Sequence, residues 1–258
     1  MTRRHDWEDV RDIIERHTGP VRRAQQVADG RNSEIAVVLH TDQGAVFVKG
    51  LREGHPRAWT QEREEQVNRY VRPVAPELLW SEHGDGWHLL GFEYIRGRSI
   101  DYTAGSTDLP KLLESMRRLH LVDLPPIELK DAQQRWAAYT DRPHLFAGDA
   151  LLHTEWTPSN VIVTDDRAWL VDWAWPTRGA AWIDPACLVV WLIASGHTPQ
   201  QAEERVAALP SWCDAPADAV TEFARVQAAM WRGIADDNGQ QWASDLAEGA
   251  RLWAEYRT

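Results

Sequence analysis

The stretch LLHTEWTPSNVIV, Leu151–Val163, decides how the rest of the chain is read. It spaces His153, Glu155 and Asn160 as H-x-E-x-x-x-x-N. A carboxylate beside a substrate hydroxyl could accept its proton and aim the oxygen at a phosphate, and an Asn carbonyl oxygen suits Mg²⁺. After the loop, NVIV reads as a strand, TDDRA as a turn and WLVDW as the returning strand that delivers Asp172. Such a hairpin would bring Asn160 and Asp172 close together. Two oxygen donors at one point suit Mg²⁺, which completes its shell with phosphate oxygens and water.

Upstream the pattern is strand-rich. Ile35–His40 and Ala45–Lys49 are β-rich runs around the turn signal Asp42-Gln43-Gly44. Lys49 closes the third strand in VFVK, where a lone cation usually marks only a strand end reaching water. The helix across RAWTQEREEQVNRYV, ended by Pro73, changes that view. Its inward stripe is Thr60, Glu64, Val67 and Val71, and an acid on an apolar face is costly to bury unless it is paired. Lys49 is its natural partner, and such a pair holds the ammonium where it can grip nucleotide phosphates. Glu62 and Glu65 fall off the stripe. The competing reading is a solvated acidic helix with all of EREE exposed. A strand pair around Gly84-Asp85-Gly86 follows.

After about residue 100 the chain turns helical. Leu112, Leu113, Met116 and Leu119 form one stripe, and Phe223, Val226, Met230 and Ile234 another. The expected fold is therefore α+β, with a small antiparallel-sheet lobe over residues 1–95 and a larger helical lobe over 96–258.

These pieces resemble the aminoglycoside phosphotransferase family, small-molecule kinases with the two-lobed protein-kinase-like fold. The family pattern is H-G-D-x-x-x-x-N, a short hairpin, then I-D-W. LLHTEWTPSNVIVTDDRAWLVDWAWP looks like it, with Glu155 at the usual Asp position. VFVK, REEQVNRYV, LLGFEYIRGR, MRRLHLVDLP and AAWIDPACLV look like further family segments, in the family's order, over roughly residues 20 to 200.

The resemblance implies roles. The first lobe would bind nucleotide, and the second would carry the catalytic loop and the substrate site. Lys49 would contact the α- and β-phosphates of ATP or GTP, oriented by Glu64. The backbone of Glu93 to Ile95 would bind the base. The ADGRNSE turn, with Gly30, Asn32 and Ser33, would cover the phosphates. Glu155 would stand as catalytic base, Asn160 and Asp172 would hold Mg²⁺, and His153 and Asp184 would support the loop. The implied reaction is phosphorylation of a hydroxyl on an aminoglycoside-like or other antibiotic or metabolite. Glu155 adds one methylene to the usual Asp, and a misplacement of about 1 Å can cost on the order of a hundredfold in rate. A kinase-like protein that binds nucleotide but transfers slowly or not at all is therefore the alternative.

Bulk properties agree with a small-molecule enzyme. The 258 residues carry a net charge of −11, which argues against a nucleic-acid partner. Asp214, Asp218, Glu222, Asp236 and Asp237 could meet a cationic substrate or form a solvated acidic face. The two cysteines, Cys187 and Cys213, form no metal cluster or disulfide framework. MTRRHDWEDV lacks the apolar stretch of a signal peptide, and ACLVVWLIASG is too short to span a membrane. A cytoplasmic, reduced chain with no membrane partner is expected.

Overall fold

In the computed structural model the described residues are 7–27 and 33–258, without the side chain of Asn238. The chain forms two compact units, residues 1–97 with 170–174, and residues 98–169 with 175–258.

The strand-rich runs of the first unit build a five-stranded antiparallel sheet. After α1 (Arg11–Thr18) come β1 (Val21–Gln26), β2 (Ile35–Thr41) and β3 (Gly44–Arg52). Then follow α2 (Ala58–Val71), β4 (Leu78–Gly84) and β5 (Trp87–Glu93), in the sheet order β1-β2-β3-β5-β4. Ile35, Val37, Leu39, Val48 and Leu89 line one face and close a core with Ile13 and Ile14 of α1. Helix α2 packs against β3, β4 and β5. The β4–β5 hairpin turns through Asp85 (φ 52°) and Gly86 (φ 76°), two left-handed residues that match the twist of paired strands. Gly91 lets the Trp80 indole lie on β5, because a Cβ there would fall 2.1 Å from that ring.

Two strand boundaries differ from expectation. β3 does not end at Lys49 but continues through buried Leu51 to Arg52, because a further inward-facing apolar residue extends the pairing. Lys49 is thus mid-strand, opposite Ala36 of β2 and Leu90 of β5. The strand expected over WLVDW stops at Leu170. There the Leu170 N–H donates to Val74 O (2.8 Å), and Asp172 is left-handed (φ 60°).

The second unit contains β6 (Arg98–Ser99), α3 (Leu109–Leu119), β7 (Lys130–Asp131), α4 (Ala132–Trp136), β8 (Ala150–Leu152), β9 (Val161–Val163), β10 (Ala168–Leu170) and β11 (Thr177–Gly179). Helices α5 (Ile183–Ala194), α6 (Pro199–Val206), α7 (Pro210–Cys213), α8 (Ala217–Asn238) and α9 (Gln241–Tyr256) complete it. Two small sheets, β10-β9-β6 and β7-β11-β8, hold the central loop between helices. Trp136, Phe146, Trp182 and Phe223 meet edge to face at 4.9–6.2 Å, the geometry that aromatic quadrupoles favour. Helix α5 is buried along nearly its whole length. Among the described residues no helix is long and apolar enough to cross a membrane.

Candidate functional site

In the first unit the α2 stripe is buried as its spacing requires, and Glu64 is only 4% exposed. It faces Lys49, itself 7% exposed, and the two form an ion pair through Oε2 and Nζ. Asp172 adds a second carboxylate, its Oδ1 accepting from Lys49 Nζ at 2.9 Å. Burial alone would push the Lys49 ammonium down, but Asp172 and Glu64 outweigh it and hold its pKa above the ordinary lysine value. The lysine is therefore a fixed cation. Burial, foremost, raises the Glu64 pKa, with Lys49 pulling against it and the neighbouring Asp172 adding to it.

Glu93 ends β5, where its N–H donates to Glu77 O (2.8 Å) and is not offered to a ligand. Ile95 is buried. Ser33 is buried just ahead of β2, while Gly30 and Asn32 lie outside the described residues.

The second unit holds the loop. His153 is buried and its Nδ1 accepts from Glu155 N–H (3.3 Å), which makes Nε2 its protonated nitrogen when the ring is neutral. Asn160 closes a 3₁₀ turn, Pro158–Asn160. Its Nδ2 donates to Glu155 O (3.2 Å), which fixes the amide plane and leaves Oδ1 as the end for a metal. Beneath the loop lies fully buried Asp184, the brace expected from the sequence. Its carboxylate accepts from His153 N (2.9 Å), Thr154 N (2.7 Å) and Trp156 Nε1 (3.1 Å). Burial raises the Asp184 pKa to about 6, with those three donors pulling against it. Trp156 is held from its other end, its carbonyl accepting from Tyr102 Oη at 3.0 Å.

Two residues of this loop environment went unrecognised in the sequence. Arg135, at the end of α4, donates to Thr154 Oγ1 (2.6 Å) and Thr177 Oγ1 (3.0 Å) and reaches Glu155 Oε1 (3.4 Å). Its guanidinium also lies over the Trp136 and Trp175 rings. Nothing in the local pattern of AQQRW marks it. Thr154 is left-handed (φ 65°), a conformation costly for a β-branched residue. The signal for it was present, since Thr154 stands where the H-G-D pattern carries glycine.

Of the acids suggested for a cationic substrate, Asp218 pairs with Arg142 (2.9 Å) and Glu222 accepts from Thr140 (2.6 Å). Asp214, Asp236 and Asp237 are exposed.

No protein-family profile matches the sequence, and a sequence search of curated proteins finds no match. Solved structures do match. The choline kinase LicA from Streptococcus pneumoniae aligns with a TM-score of 0.64 at 14% identity, covering 96% of this chain and 99% of that one. Aminoglycoside phosphotransferase APH(4)-Ia aligns at 0.62 and 14% identity, with the same coverage. A thermostable mutant of it, in ternary complex with AMP-PNP and hygromycin B, aligns at 0.60 and 14% identity over 95% of this chain and 99% of that one. Macrolide 2'-phosphotransferase MphH from Brachybacterium faecium aligns at 0.58 and 14% identity, over 94% and 97%. At such identity the shared property is the fold. The chain has the two-lobed α+β, protein-kinase-like fold of aminoglycoside phosphotransferases and related small-molecule kinases.

Proposed function

We propose that the chain is a small-molecule kinase that transfers the γ-phosphate of ATP or GTP to a hydroxyl of an aminoglycoside-like or other antibiotic or metabolite substrate. The observation that carries this reading is Lys49, a buried ammonium held between the Glu64 and Asp172 carboxylates. A structural ion pair needs one acid. A lysine paired with a helix acid, beside a second acid at the D-W position, matches the parts by which kinases grip phosphates and hold a metal. The APH(4)-Ia mutant, whose fold this chain shares, was solved with AMP-PNP and hygromycin B, which supports nucleotide binding.

In this reading the first unit binds nucleotide, with the backbone after Glu93, as far as Ile95, facing the base in place of the engaged Glu93 N–H, and Ser33 near the phosphates. Asn160 and Asp172 would hold Mg²⁺. Their donor chemistry fits, an amide oxygen and a carboxylate being hard ligands. The ion would neutralise the phosphate charge. Glu155 accepts the proton of the acceptor hydroxyl, while Asp184, through the backbone N–H groups of His153 and Thr154, keeps the loop in place. The second unit presents the substrate. Exposed acids such as Asp236 and Asp237 favour a cationic one.

A second reading, a nucleotide binder with weak or no transfer, is favoured by the Arg135 contact. A carboxylate that spends its extra methylene reaching a guanidinium is turned away from a hydroxyl. Incubation with Mg-ATP or Mg-GTP and a panel of aminoglycosides, macrolides and amino alcohols, read by mass spectrometry, separates the two. Gain of phosphate on one compound is the expected result. If none gains phosphate and Glu155→Asp does not restore transfer, the kinase reading falls. A nucleotide-induced rise in melting temperature that Asp172→Asn abolishes would then leave the binder.

A further inference from the structure

The sheet of the first unit carries a second constellation. His83 of β4 and His88 of β5 are direct cross-strand partners, two residues either side of the tight Asp85-Gly86 turn. Their rings stack with centroids 4.0 Å apart and planes 15° from parallel. Glu65 reaches them from α2, its Oε2 lying 3.0 Å from His88 Nε2. One donor atom from each of the three lies within 4.8 Å of the other two, the one such group of His, Cys, Asp and Glu among the described residues. A fourth group stands behind them, Glu53 Oε1 at 3.3 Å from His83 Nδ1.

We propose that Glu65, His83 and His88 form a binding site for a borderline divalent transition-metal ion of the Zn²⁺ type. Two imidazoles and one carboxylate are a donor set that Zn²⁺ takes with water in the fourth position. Tetrahedral ligation at about 2.0–2.1 Å puts donors about 3.4 Å apart. The Glu65–His88 pair, at 3.0 Å, is near that figure, and the near-parallel His83 ring would have to turn for its nitrogen to converge on the ion. The adjustment falls to Glu65 and His83, whose side chains are 35% and 53% exposed, while His88 is fixed at 2%. Glu53 occupies the place of the carboxylate that commonly orients a metal-bound histidine through its other nitrogen. With Nδ1 of His83 so engaged, Nε2 is the nitrogen offered to the ion.

Burial foremost, then the neighbouring His83, lowers the His88 pKa, with Glu65 acting against both. The ion would clamp α2 to the β4–β5 hairpin one residue away from Glu64, the partner of Lys49. The proposal is independent of the kinase reading.

The test uses the full chain stripped of metal and titrated with Zn²⁺ by calorimetry and thermal melting, with Mg²⁺ as control. Co²⁺ absorption reads the geometry. One ion per chain, a melting temperature raised by several degrees and a tetrahedral Co²⁺ spectrum are expected, with millimolar Mg²⁺ not competing. His83→Ala and Glu65→Gln, both on partly exposed side chains, should keep the metal-free melting temperature and abolish the shift. Glu53→Gln should weaken Zn²⁺ about 10- to 100-fold. Absence of a Zn²⁺ shift, or a shift of full size in His83→Ala and Glu65→Gln, overturns the proposal.

Discussion

Lys49 Nζ and Asp172 Oδ1 lie 2.9 Å apart although 123 residues separate them in sequence. With the Glu64 pair this makes a charged trio in the first unit, Lys49 and Glu64 buried and Asp172 partly exposed. Removing one partner of a buried pair typically costs about 3–5 kcal/mol, because a charge is left uncompensated. Lys49→Met should therefore lower unfolding free energy by about that amount in urea titration. Adding Glu64→Gln should return more than half of it. A loss below about 1 kcal/mol for Lys49→Met would show that the trio is not formed.

The Arg135 guanidinium ties Glu155 to the hydroxyls of Thr154 and Thr177. If Glu155 is the base, Arg135 sets where its carboxylate points. Arg135→Ala is expected to lower kcat about a hundredfold, the scale of an ångström of misplacement. The nucleotide-induced melting shift should stay unchanged. Arg135→Lys should not rescue, since one ammonium cannot serve three acceptors in a planar fork. A higher kcat in Arg135→Ala would place the arginine as a brake on Glu155 instead, and an unchanged one would show that the contact does not aim the carboxylate.

Thr154 combines a strained backbone with a useful hydroxyl. Thr154→Val keeps the φ of 65° and loses the bond to Arg135, a double penalty. Thr154→Gly also loses the bond but relieves the strain, which costs of order 1–3 kcal/mol in a non-glycine residue. The glycine variant should be the more stable of the two by about 1 kcal/mol or more in chemical denaturation. Equal stabilities would mean the loop does not hold this conformation.

His120, just beyond α3, is partly buried, its Nε2 enclosed and lacking a hydrogen-bond partner among the described residues, and burial pushes its pKa down from 6.5 to about 4. The unfolded chain takes up this proton first as pH falls. The associated stability is complete above about pH 6.5 and lost progressively down to about pH 4, by about 3 kcal/mol. His120→Phe removes the titrating group and leaves no polar atom orphaned. The difference in stability between wild type and variant should therefore slope between pH 6.5 and 4 and be flat above pH 7.

Much of this was legible in sequence because it depends on local periodicity. The α2 stripe singled out Glu64 over Glu62 and Glu65, and burial follows that choice. Lys49 was found as a cation in an apolar strand, although its mid-strand position depends on Leu51, whose inward direction only pairing reveals. Asp172 is marked by its motif, while its left-handed turn comes just after the Val74–Leu170 hydrogen bond, a contact across nearly a hundred residues that no local pattern reveals. Arg135 left no trace, since its partners are hydroxyls and a carboxylate 19 to 42 positions away. The His83–His88 pair was visible as a turn but not as a constellation, because Glu65 comes to it from another element.

Residues 170–174 return to the first unit after the chain has left it at Gly97. The first unit is consequently not a continuous piece of polypeptide. A truncated protein ending at Gly97 would strand the Val74 carbonyl and deprive Lys49 of one of its two counter-charges. Transplanting this unit into another chain would require the five-residue segment to travel with it, as a graft or as an added peptide.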